Sequence, residues 1–75
     1  MHNPTELNRK SIETLRSHNI IKGQVLSYRS LPTAQYVSYE RGVKPTRIIL
    51  GDYPWVWVVS PADAERLMAE GYEMV

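Results

Sequence analysis

The sequence predicts an α+β domain with a four- or five-stranded, mainly antiparallel sheet, one helix before it and one after its central strand. Three observations predict it. Residues 55–59, Trp-Val-Trp-Val-Val, are all aromatic or β-branched, the types that fit a pleated, packed surface. Ser60 and Pro61 follow at once, an N-cap and a first-turn proline, with Asp63 in the third position. Asn3, Pro4 and Glu6 repeat that start signal near the other terminus.

Taken in order, a helix from Pro4 to Ser17 is expected, with Asn19 able to end it in a left-handed conformation. Its apolar residues, Leu7, Ile12 and Leu15, are badly spaced for a stripe. A start at Ser11, with residues 1–10 as a loose arm of the single domain 1–75, therefore competes with a start at Pro4. Residues 20–28 read as a strand in which Gly23 is either a bulge or a point of close approach. Residues 30–33 read as a break, and Gln35 to Glu40 as a second strand. Thr46 to Leu50 is a third, with Ile48 and Leu50 on one face and Arg47 and Ile49 on the other.

Gly51 to Pro54 is a turn. In the strand after it, alternation places Trp55, Trp57 and Val59 on one face and Val56 and Val58 on the other. Both faces are apolar, which predicts a central strand covered on both sides. The following helix has a stripe of Ala64, Leu67, Met68, Gly71 and Tyr72, with Gly71 as its stop. The tail offers one last strand. Strands linked by short turns suggest a meander, and a small curled sheet of the SH3-like kind is compatible with it.

A chain of 75 residues buries only about 60% of its unfolded surface, so its stability margin is small. It has no cysteine, which excludes disulfides and thiolate metal sites. No segment approaches the roughly 20 apolar residues of a membrane span, and no signal-peptide run is present, so the expected placement is cytoplasmic. Net charge is +1, but residues 1–47 carry eight Lys and Arg against three Glu, while residues 48–75 carry one Arg against five acids. That asymmetry marks either a nucleic-acid or acidic-partner surface, or two halves that meet in space.

The catalytic inventory is thin. His18 suits a helix C-terminal cap better than a ligand, and Ser60 suits a cap better than a nucleophile. Asp63, Glu65, Glu70 and Glu73 read as cap and solvated face, and the isolated glycines make no phosphate-cradling loop. No catalytic residue, metal site or cofactor is expected.

What remains is aromatic residues interleaved with basic ones. Trp, Tyr and Arg dominate protein interfaces, which suggests a non-catalytic interaction module, an adaptor or inhibitor, contacting a protein partner through its sheet. The candidate residues are Arg29, Tyr36, Tyr39, Lys44, Arg47, Trp55 and Trp57. The alternative is nucleic-acid binding, with bases stacked on the rings and Arg29, Lys44 and Arg47 on phosphates. Against both stands the reading of Trp55 and Trp57 as plain core. Unassigned edge strands leave a homodimer open.

Overall fold

The computed structural model describes residues 4–40 and 45–75, with the side chains of residues 6–38 and 45–75. Helix α1 spans Pro4–Ser17, strand β1 Leu26–Tyr28, helix α2 Leu31–Glu40, strands β2 Arg47–Leu50 and β3 Val56–Val59, helix α3 Pro61–Ala69 and strand β4 Glu73–Met74. The four strands form one antiparallel sheet in the order β1-β3-β2-β4. The α+β class and both terminal helices are as the sequence predicts.

Strand β3 is internal and buried along its whole length, with a helix layer on each face. Trp57 and Val59 point to one side, where Ile49, Leu15 of α1 and Ala64 and Leu67 of α3 join them in one cluster, with Trp55 and Tyr72 at its margin. Val56 and Val58 point to the other side, against Ala34 of α2, with Leu26, Tyr28, Leu31 and Ile48 around them. The alternation read from residues 55–59 therefore holds in three dimensions.

Helix α1 begins at Pro4, so residues 4–10 belong to it and form no loose arm. Its inward stripe is Asn8, Ser11, Ile12 and Leu15, the i, i+3, i+4, i+7 spacing that the apolar residues alone lacked. Two of the four are polar. Asn8 is buried because Trp57 Nε1 donates to its Oδ1 at 2.8 Å, while its Nδ2 donates to Ser27 Oγ at 3.1 Å. One amide thus joins α1 to β3 and β1 and satisfies the indole of a wholly buried ring. Asn19, at φ 61°, ends the helix as expected, and His18 lies exposed in the turn.

Residues 35–40, expected as a strand, lie in α2. Ser30 starts it: Ala34 N donates to Ser30 O at 3.1 Å and Thr33 N to Ser30 Oγ at 3.4 Å, with Pro32 in the first turn. Leu31, Ala34, Val37 and Ser38 form its inward side, and Ala34 is fully buried where helix meets sheet. The alternating Tyr, Val and Ser pattern is a strand propensity that packing overrode. Because α2 joins β1 to β2, and β3 lies between those strands, the sheet is no simple meander.

The strand expected over residues 20–28 is confined to Leu26–Tyr28. Upstream of it the backbone is satisfied elsewhere. Lys22 N and Gly23 N donate to the Asp63 carboxylate at 3.0 and 2.9 Å, Arg66 Nε donates to Ile20 O at 2.8 Å, and Arg16 Nη1 donates to Gly23 O at 3.0 Å. Chain held by side chains in this way has no ladder to join. Asp63, expected as an exposed capping residue, is instead wholly buried, and Arg66 Nη2 completes its shell. Burial alone would raise its pKa, but the two backbone N–H groups and the Arg66 guanidinium outweigh it, and the carboxyl sits below its ordinary 3.8.

Ser60 caps α3 as predicted, accepting from Asp63 N at 3.2 Å, and Gly71, at φ +103°, ends it. The chain then returns as β4 beside β2, the anticipated last strand. Helices α1 and α3 share one face of the sheet, and Leu15 of α1 joins Ala64 and Leu67 of α3 in one cluster.

Candidate interaction surface at one end of the sheet

The register aligns Tyr28, Val56, Leu50 and Glu73 in one row across all four strands. Just beyond that row lies the β2–β3 loop. Gly51 N donates to Trp55 O at 3.0 Å and Trp55 N to Asp52 O at 2.7 Å, closing the loop on itself, and the Tyr53–Pro54 peptide is cis. Ser11 Oγ of α1 donates to Asp52 Oδ2, which moors the loop to the helix layer.

The base of the loop is fixed by a close approach. A Cβ at Gly51 would lie 2.4 Å from Cε2 and 2.6 Å from Cδ2 of Trp57, so only glycine fits there. The ring of Trp57 is held from its other sides by Asn8 and by Tyr72, whose ring centroid is 5.4 Å away. Tyr72 is itself tucked in. Burial, then the charges of Asp52 and Glu70, push its phenol above 10.0.

What the loop presents is apolar and aromatic. Tyr53 is 97% exposed, the highest value among the described large hydrophobic residues, and Leu50 beside it is 40% exposed. Leu50, Gly51, Tyr53, Pro54, Trp55 and Val56 line an open cleft of about 400 Å³. The Arg29 guanidinium lies 5.1 Å from the centre of the Trp55 ring, a cation–π contact of about 0.5–1 kcal/mol at an exposed site. That contact brings β1's end to the cleft wall and places a positive charge there.

The candidate residues separate accordingly. Arg29 and Trp55 come together at this end, with Trp55 half-buried. Trp57 is a core residue at 0% exposure and is closed to any ligand. Tyr36 is exposed, but it stands on α2 and not on a strand. Tyr39 is also in α2; its side chain, and Lys44 altogether, lie outside the described residues. Arg47 pairs with Val59, at the opposite end of β3 from the row that holds Tyr28, and its Nη1 donates to Thr46 O at 2.9 Å. Helices pack on both faces of the sheet, so Tyr36 and Tyr39 stand on α2 rather than on a strand, while Tyr53 is exposed at the sheet's end.

Tyr53, Pro54 and Leu50 were the residues missed. The signal for Tyr53 was present in its setting, an aromatic residue inside a Gly-Asp-x-Pro turn, where a ring has no core to enter. A second hollow of about 270 Å³ lies between α1 and Tyr72. Its polar rim is already engaged, Ser11 with Asp52 and Lys10 with Glu6, which makes it the weaker candidate.

Among the described residues no group of three or more His, Cys, Asp or Glu gathers as metal ligands, and no helix is long and apolar enough to cross a membrane. The chain matches no family model, no curated protein and no solved structure.

Proposed function

We propose that the protein is a non-catalytic interaction module, a small adaptor or inhibitor, that engages a protein partner through the aromatic end of its sheet. One observation carries the reading: Tyr53 stands 97% exposed on a moored loop, beside a cleft built from Leu50, Pro54 and Trp55. A large ring held in water forgoes burial worth about 1.5–3 kcal/mol, which a partner recovers on binding. Arg29 stacked on Trp55 adds the third residue type that dominates interface energetics. The polar side chains that could otherwise suggest chemistry are engaged in the architecture. Asp63 pins residues 22 and 23, Asn8 holds Trp57, and Ser60 caps α3.

Nucleic-acid binding is the competing reading, and the placement of cations favours it less. Arg29 and Arg47 lie at opposite ends of β3, Arg16 is turned onto Gly23 O, and Lys10 faces Glu6. A phosphate track needs them gathered.

The test is affinity capture from an extract of the source cell with wild-type protein, Tyr53→Ala and Tyr36→Ala, quantified by mass spectrometry. A protein retained by the wild type and Tyr36→Ala, and reduced at least about tenfold by Tyr53→Ala, is the expected result. Equal recovery on all three would overturn the reading. An oligonucleotide titration whose affinity falls steeply with salt would put nucleic acid in its place.

A further inference from the structure

The outer edge of β1 is a second surface, separate from the aromatic loop, and its chemistry selects a ligand. We infer that it takes an extended segment of a partner protein as an added antiparallel strand, with acidic side chains on the α1 side of the sheet and apolar ones on the α2 side.

The direction of the backbone groups is the first observation. Val75 N donates to Ile48 O at 2.9 Å, so Ile48 and Leu50 turn their N–H and C=O groups toward β4. Arg47 and Ile49 then turn theirs toward β3, and the bond from Gly51 N to Trp55 O follows the same alternation. Trp57 and Val59 are thereby paired with β2, which leaves Val56 and Val58 to bond Tyr28 and Leu26. Ser27 lies between those two, and its N–H and C=O point away from the sheet. Strand β1 is outermost, and no loop or side chain among the described residues takes these two groups. An edge residue with both groups unpaired is a template for another strand.

Charge, followed face by face, is the second. Ser27 shares the α1/α3 face with Trp57, and Arg29 shares it too, its guanidinium on the Trp55 ring. Arg9, Ile12 and Arg16 lie along one side of α1, opposite the side that lines the hollow at Tyr72. Arg16 Nη1 donates to Gly23 O, which sets that side over the chain leading into β1. Arg9 follows Asn8, whose amide donates to Ser27 Oγ. Arg9, Arg16 and Arg29 are all exposed, and none is in an ion pair among the described residues. Glu6 faces Lys10, which leaves Glu13 as the acid of α1 against these three cations.

The third is the other face of the same strand. Leu26 and Tyr28 pack against the cluster of Ala34, Val56 and Val58 but stay half-buried, with no strand on their outer side to finish covering them.

Together these set the ligand's pattern. In an antiparallel pair centred on Ser27, three ligand residues stand opposite Val25, Ser27 and Arg29, on the face with the arginines. The two between them stand opposite Leu26 and Tyr28. The matching sequence therefore alternates acidic and apolar residues. A phosphate would meet the same arginines but has no donor for Ser27 O, and a second copy docked edge to edge would set arginine against arginine.

The experiment is selection of a phage-displayed random dodecapeptide library on the immobilised full chain, with Tyr53→Ala and the double variant Arg9→Glu/Arg29→Glu selected in parallel. All three residues are exposed, and unchanged urea midpoints check that the variants fold. Wild type and Tyr53→Ala are expected to enrich the same sequences, with acidic residues at every second position and apolar residues between. On the double variant the acidic positions should turn basic while the apolar ones persist. A synthetic peptide of the leading sequence, N-methylated at one residue at a time, is then titrated against wild-type protein alone. Affinity should fall about tenfold or more at the central residue, whose N–H meets Ser27 O, and hold at its two neighbours, whose N–H groups point away. Sequences without the alternation, sequences that ignore the charge reversal, a uniform response to N-methylation, or no enrichment would overturn the inference. Enrichment that vanishes on Tyr53→Ala would also overturn it and place the ligand at the aromatic end.

Discussion

Replacing Gly51 by alanine adds one methyl group where the loop that carries Tyr53 leaves β2. The added carbon would sit 2.4–2.8 Å from three atoms of the Trp57 ring, and ordinary contact begins near 3.4 Å. The ring must retreat by about 1 Å, or the loop must move away by as much. Trp57 has nowhere to go, being at 0% exposure and tied to Asn8 at 2.8 Å. Overpacking of a close-packed site costs about 1–3 kcal/mol. Stretching the indole–amide bond beyond 3.5 Å leaves a buried donor unmet, at about 1–3 kcal/mol more. Together these give about 2–6 kcal/mol, against a total stability of about 4–11 kcal/mol for a domain of this size. Gly71→Ala is the matched control. It meets nothing within 4 Å and suffers only its φ of +103°, a strain of about 1–3 kcal/mol. Urea unfolding followed by tryptophan fluorescence measures both. The midpoint of Gly51→Ala should fall at least twice as far as that of Gly71→Ala, with unchanged slope. A loss below about 0.5 kcal/mol for Gly51→Ala would refute the claim that this glycine fixes the loop against the core.

Two further predictions concern the clamps. Asp63→Asn removes a carboxylate whose folded pKa lies below its ordinary 3.8, so the wild type binds fewer protons folded than unfolded in acid. The stability advantage over Asp63→Asn should be full above about pH 5 and shrink as pH falls through 3.8 and then through the folded value; a gap that does not change with pH, in urea melts from pH 7 to 2, would contradict it. Asn8→Ala strands the Trp57 indole and frees Ser27, and should cost about 2–4 kcal/mol with a shift in tryptophan emission, whereas Glu13→Ala on the exposed side of α1 should stay within about 0.5 kcal/mol.

The elements readable from sequence were those whose local signals and tertiary role agree. Residues 55–59 carry strand propensity and are in fact enclosed on both faces, and Ser60, Pro61 and Gly71 mark α3 at both ends. Helix α2 was hidden by conflict. Its Tyr, Val and Ser residues alternate like a strand, while its start signal, Ser30 with Pro32, resembles a break, although Ser60 with Pro61 marks the start of α3 by the same chemistry. The buried stripe of α1 was obscured because two of its members, Asn8 and Ser11, are polar. Their partners, Trp57 and Asp52, lie more than 40 positions away, and sequence periodicity carries no information on such pairs. Asp63 was misplaced for the same reason, since the backbone it binds at residues 22 and 23 is also distant.

The candidate surface divides along the same line. That aromatic and basic residues would meet was legible, and Arg29 does stack on Trp55. Which ring would be core was not, because Trp55 and Trp57 share one side of the strand, and only Trp57 reaches the middle of the sheet. With α2 recognised, Tyr36 leaves the sheet, and Tyr53 is the exposed ring at the sheet's end.

Site-specific photocrosslinking tests the central claim most directly. The photoreactive residue benzoylphenylalanine would replace Tyr53, Tyr36 or Glu65 in turn, all exposed and on different parts of the surface, and the source cells would be irradiated. The account predicts a discrete protein adduct from position 53 and none of the same mass from positions 36 and 65. Adducts from α2 or α3 with none from position 53 would contradict it and move the interaction surface off the end of the sheet.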